Sequence, residues 1–160
     1  MPLQKLNDVR LNVVENGRGA ETLVLLHGLL FSHRMFDLQV EYLQDRFRCV
    51  RMDFRGQGES EVTRSGYDLD TLTDDVIALI ELLNAAPVHL LGFSMGGMVA
   101  QRVALKRPDL LRSLVLMNTA AQAEHLRKRP KFALLNVAAR LLGLEKITPK
   151  ILPLMFSGDF

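Results

Sequence analysis

Apolar positions along this chain fall into two textures: short continuous runs closed by polar, glycine-bearing turns, and longer stretches in which apolar residues recur every three to five positions. The first texture suits strands covered on both faces, and the second suits helices with one apolar face. Residues 9–14 are predicted as a strand, followed by a turn over Glu15-Asn16-Gly17-Arg18-Gly19. Residues 22–26 are a continuously apolar second strand, ended by His27-Gly28. From 32 to 46, Met35, Phe36, Leu38, Val40 and Leu43 predict an amphipathic helix. Residues 49–52 form the next strand, closed by the loop 53–60, and a helix capped by Asp70 or Thr71 then runs through Val76, Ile77, Leu79, Ile80 and Leu83 to end before Pro87. A strand at 88–91, a helix over 95–106 and a strand at 114–117 complete the series. Strands alternating with helices imply right-handed crossovers, so the expected class is α/β with a mainly parallel, doubly wound sheet.

After Asn118 the strand-and-glycine rhythm stops and a helix-rich apolar stretch follows, with Leu134, Leu135, Val137, Leu141, Leu142 and Ile147 among its residues. The expected partition is a core over 1–120 and an incomplete helical cap over 121–160. A helix flanking the sheet would give the same pattern. At 160 residues and 48% apolar the chain is the size of one globular domain. Its 20 basic and 18 acidic residues nearly balance, which gives no electrostatic case for nucleic acid or an anionic membrane. The basic cluster Arg127-Lys128-Arg129-Pro130-Lys131 has no interleaved aromatics and reads as a solvated face. Cys49 is the single cysteine, so neither an internal disulfide nor a cysteine-based zinc site is expected, and it reads as a buried strand residue. Without a signal-like apolar segment at the start or a run of about eighteen uncharged apolar residues anywhere, a soluble cytoplasmic setting is the expectation.

Gly92-Phe93-Ser94-Met95-Gly96, between a strand and a helix, has the form of a nucleophile elbow, a sharp turn that holds a serine hydroxyl exposed. The competing reading is a glycine-rich turn of a nucleotide-binding protein, but neither the dinucleotide pattern nor the phosphate-loop pattern occurs. The Met95 N–H would stand at a helix N-terminus, where unpaired donors and the helix dipole favour developing negative charge. His27-Gly28-Leu29-Leu30 lies on the same rim, and the Leu29 N–H is the candidate second donor.

Three features in order, His27-Gly28, then Asp53-x-Arg55-Gly56-x-Gly58-x-Ser60, then Gly92-Phe93-Ser94-Met95-Gly96-Gly97, resemble the α/β-hydrolase fold family, especially its esterase, enol-lactonase and perhydrolase-like branch. The resemblance covers about residues 9–125. It implies Ser94 as nucleophile, Leu29 and Met95 as oxyanion donors, a structural role for the Asp53 loop, and no cofactor or metal. In that family a carboxylate and then a histidine follow the serine.

Here the acids after Ser94 are Asp109, Glu124, Glu145 and Asp159, and His125 is the one later histidine. Asp109 follows a helix of about twelve residues, which carries it roughly 18 Å from the elbow. Glu124 adjoins His125, and helical neighbours do not face each other. His33 and His125 are candidates for substrate contact; the plainer readings are a surface residue at a helix start and a polar cap residue. His89 reads as a packed strand residue. The expectation is therefore a truncated or split serine hydrolase for a small hydrophobic ester-like substrate, with self-association or a complementing C-terminal chain. The rival is a non-catalytic binding or regulatory module on the same scaffold.

Overall fold

A computed structural model describes residues 3–122, and all of these but Gln122 belong to one compact unit, Met1–Ala121. The expected cap, with His125 and the basic cluster, lies outside the described residues. The unit is α/β, as the alternation implied. Its central sheet has five strands in the order β3 (Val13–Asn16), β5 (Phe47–Met52), β4 (Glu21–Leu26), β6 (Val88–Phe93) and β7 (Leu111–Met117). Only the β3–β5 ladder is antiparallel; the other three are parallel.

The continuous apolar runs are explained by burial on both faces. Val24, Leu26, Val50, Met52, Val88 and Leu90 pack into one core with Val76, Leu79 and Ile80 of α2 (Leu69–Leu83) and Val99, Ala100 and Val103 of α3 (Met95–Lys106). Leu23, Leu25 and Cys49 point the other way, against Phe36 and Val40, and Val40 lies in α1 (Asp37–Leu43). Each fully buried Leu, Val or Ile contributes about 1.5–3 kcal/mol. The β7 strand is different: from Arg112 to Met117 every residue is exposed, Val115, Leu116 and Met117 each at 43%. Among the described residues it is a sheet edge whose outer ladder groups have no strand beside them.

Several boundaries differ from the sequence reading. The expected strand 9–14 is two strands: β2 (Val9–Leu11) pairs with β1 (Gln4–Leu6) in a hairpin, and β3 joins the main sheet. The break falls at Asn12, whose N–H donates to Ser60 Oγ and whose C=O accepts from the Asp53 N–H. The helix expected over 32–46 opens as a 3-10 turn, His33–Phe36, capped by Ser32, before α1 begins. The cap of α2 is Asp68, which accepts from the Thr71 N–H at 2.9 Å. The helix Met95–Lys106 is found where it was expected. No described helix is long and apolar enough to cross a membrane.

Candidate active site

Ser94 joins the end of β6 to the start of α3 with φ 50° and ψ −114°. An L-residue held there is strained by about 1–3 kcal/mol, and such strain persists only where the surroundings over-determine it. Both peptide groups of Ser94 are held: its N–H donates to the Met117 C=O at 3.0 Å, and its C=O accepts from Thr119 Oγ1 at 2.8 Å and from the Met98 N–H at 3.1 Å. Its hydroxyl makes no helix-cap hydrogen bond.

The flanking glycines are required by close approach. A Cβ on Gly92 would lie 2.6 Å from the Gly97 Cα, and one on Gly96 would meet the Leu26 carbonyl oxygen and lie 2.6 Å from that of His27. Those contacts also show that the elbow packs directly on the end of β4, where the His27-Gly28 loop begins. Gly28 in turn faces the Phe93 ring, which meets Phe31 edge-to-face with centroids 6.3 Å apart.

The loop after β4 is a tight turn in which Phe31 N–H donates to the Gly28 C=O at 3.2 Å. The same carbonyl lies 2.7 Å from His27 Nδ1. His27 Nε2 accepts the Phe54 N–H at 3.1 Å, so the proton is on Nδ1 and donates to Gly28. The ring is fully buried, and burial pushes its pKa below the ordinary histidine value against the opposing pull of Gly28 and Asp53. His27 is thus a neutral brace. With two donors on its oxygen, the Gly28–Leu29 peptide is fixed, and because a trans peptide opposes its C=O and N–H, so is the direction of the Leu29 N–H. Among the first amides of α3, those of Met95, Gly96 and Gly97 precede the first intrahelical bond, Met98 N–H to Ser94 C=O.

Behind this loop sits Asp53, fully buried. Burial pushes its carboxyl up, but donors from the Glu59 and His33 N–H groups and the Asn12 and His33 side chains outweigh that and hold it below the ordinary aspartate value. The carboxylate thereby ties Asn12 at the break before β3, the loop after β4 and its own loop together. Arg55 extends the support: buried, it makes two bonds to Asp75 of α2, at 2.5 and 2.8 Å, and one to Asp8. The hydrogen bond to Asp75 raises its pKa still further.

The structure thus brings Ser94, Met95 and Leu29 onto one rim. It corrects the reading of His33 as a surface residue: His33 is 8% exposed, with Nδ1 3.0 Å from both Asp53 oxygens. His125 lies outside the described residues. Asn12 and Gln57 were missed, although a lone asparagine inside Val9-Arg10-Leu11-Asn12-Val13-Val14 is the signal that marks the first. His89, on β6 well before Ser94, pairs with Ser113 at 2.7 Å. Among the described residues none of the three histidines is hydrogen-bonded to Ser94: His27 has both ring nitrogens bonded, His89 lies near the start of β6, and His33 is held through Nδ1 by Asp53. Among the described residues no cluster of His, Cys, Asp and Glu is placed to hold a metal ion.

Residues 21–145 match the family described as the alpha/beta hydrolase fold. The AB hydrolase superfamily protein YisY of Bacillus subtilis is 39% identical over 126 residues, covering 78% of this chain and 46% of that protein. The (E)-2-((N-methylformamido)methylene)succinate hydrolase of Acinetobacter baylyi is 32% identical over 77% of this chain and 46% of its own length. The solved enol-lactonase of Burkholderia xenovorans superposes with a TM-score of 0.89 at 31% identity, covering 99% of this chain and 61% of that one. The chain spans about half the length of the curated relatives it matches.

Proposed function

The chain belongs to the alpha/beta hydrolase fold family, and from that premise we propose that it is the nucleophile-bearing part of a serine hydrolase acting on carboxylic esters, lactones or related carbonyl compounds. The observation that carries this reading is the left-handed conformation of Ser94 at the head of α3, with its hydroxyl uncommitted to capping. Ser94 Oγ attacks the carbonyl carbon as its proton passes to a histidine. The tetrahedral oxyanion accepts hydrogen bonds from the Leu29 and Met95 N–H groups. Collapse expels the alkoxide, which takes the proton, and water then releases the acid from the acyl-enzyme. Relatives named as a succinate hydrolase and an enol-lactonase support a carbonyl substrate. Leu29 and Leu30, exposed beside Phe31 and Phe93, favour an apolar one.

No hydrogen bond joins Ser94 to His27, His33 or His89, and in this reading the base and its carboxylate come from outside the described residues: His125, or a complementing chain seated at the exposed β7 edge. That same lack of a base bonded to Ser94 among the described residues favours a second reading, a binding module with an idle serine. A fluorophosphonate probe separates the two. Under the hydrolase reading it labels the wild type and Ser94→Ala abolishes labelling; an unlabelled protein, even with a complementing C-terminal half supplied, establishes the binding module. Light scattering tests the edge: association or capture of that half supports the partnered form, and a monodisperse monomer indifferent to it refutes it.

A further inference from the structure

The turn that carries the oxyanion donor is held in a geometry its own sequence disfavours. Gly28 to Phe31 closes with an i to i+3 hydrogen bond, and its third residue, Leu30, has φ +66°. This is the type II pattern, whose third position calls for glycine or asparagine because a branched side chain there collides with backbone. Leucine in the left-handed region costs about 1–2 kcal/mol, so this turn by itself favours rotating the Leu29–Leu30 peptide over into the type I form.

One side chain opposes that rotation. Gln57 Oε1 accepts the Leu30 N–H at 2.7 Å. Rotation would replace that N–H with the Leu29 carbonyl and set two oxygens against each other. Gln57 is itself fixed: its N–H donates to the Phe54 C=O at 3.0 Å and its C=O accepts from the Ser60 N–H at 3.1 Å. Glycines with φ +65° and +55°, Gly56 and Gly58, stand on either side of it. That loop is anchored in turn by the Asp53 carboxylate. Of the peptides flanking Leu29, the first is fixed by His27 and Phe31, and the second, among the described residues, by Gln57 alone.

We propose that Gln57 is a positioning residue of the oxyanion site: by accepting the Leu30 N–H it selects the turn in which the Leu29 N–H is left unbonded and fixed in direction. This rests on the hydrolase reading for its catalytic consequence, but not for its structural one. Gln57 makes no hydrogen bond to Ser94; it acts through Leu30.

The test combines amide hydrogen exchange with ester hydrolysis by the full chain, supplemented with the complementing half if that is what confers activity. Gln57 is half-buried at the surface, so Gln57→Leu is expected to fold. It should speed exchange at Leu30 about 10-fold or more and lower kcat about 10- to 100-fold with KM little changed, since a misplaced oxyanion donor acts on the transition state. Gln57→Glu keeps an acceptor and should restore both. Leu30→Gly in the Gln57→Leu background removes the left-handed cost and should recover much of kcat. Unchanged exchange at Leu30, a kcat unaffected by Gln57→Leu, or a loss shared equally by Gln57→Glu would overturn the proposal. If the wild type is neither labelled nor active, the hydrolase reading falls, and exchange at Leu30 in the same variants still decides whether Gln57 sets the turn.

Discussion

The Asp53 loop and the Ser94 elbow adjoin the same His27-Gly28 loop but are stabilised in opposite ways. Around Asp53 a buried carboxylate is matched by donors from three segments, its C=O accepts from the Ser60 hydroxyl, and the next N–H, that of Phe54, donates to His27. At the elbow the backbone is forced into a positive-φ conformation, glycines admit the close approach, and the Ser94 hydroxyl caps nothing. The satisfied loop supplies rigidity, and the strained one uses it to keep a side chain uncommitted.

The largest test removes the satisfied side of that contrast. Asp53→Ala leaves several buried donors unpaired and should lower unfolding stability by about 3–5 kcal/mol, read by urea denaturation. A loss under about 1 kcal/mol would show that the loop is not held by its carboxylate. Acid reaches the same network in the wild type. Asp53 and His27 both have folded pKa values below their ordinary ones, so their contributions are present above those ordinary values and vanish as pH falls through the folded ones. Stability should therefore decline first below about pH 6.5, as unfolded histidine gains its proton, and again below about pH 4. Denaturation midpoints across pH that stay flat in both windows would contradict it.

Smaller changes probe the elbow. Gly96→Ala drives a methyl into the Leu26 and His27 carbonyls, neither the end of a flexible side chain, and should cost about 2–3 kcal/mol by thermal or urea unfolding. Ser94→Gly should do the reverse, raising stability by about 1 kcal/mol because glycine adopts φ 50° without strain. A destabilised Ser94→Gly would mean that the elbow is not the strained partner in this pair.

Much of this contrast was legible in the sequence, unevenly. The elbow was visible because its requirement is local: two glycines around one serine, between an apolar run and a helix, and α3 begins and ends where that pattern put it. The doubly covered strands were visible for the same reason. Asn12, His33 and Gln57 were not, because their roles come from partners 20 to 48 positions away, which no periodicity encodes. Residues 9–14 carry the apolar content of one strand, and it took the side-chain and backbone bonds of Asn12 to divide them between two sheets. Likewise Asp68 rather than Asp70 caps α2, since the cap is chosen by which carboxylate reaches the Thr71 N–H.

One arrangement sets a time limit on the strained conformation of Ser94. Met117 and Thr119, at the end of the exposed β7, hold the N–H and C=O of Ser94. Strand ends with an open flank are where native proteins fray first, at a free energy well below that of global unfolding. Each brief detachment of residues 117–119 would let Ser94 relax to an ordinary conformation while the inner strands stay paired. Ser94 keeps its strained conformation no longer than that edge stays closed, so anything that lies alongside β7 would govern how long each such interval lasts without ever touching the hydroxyl.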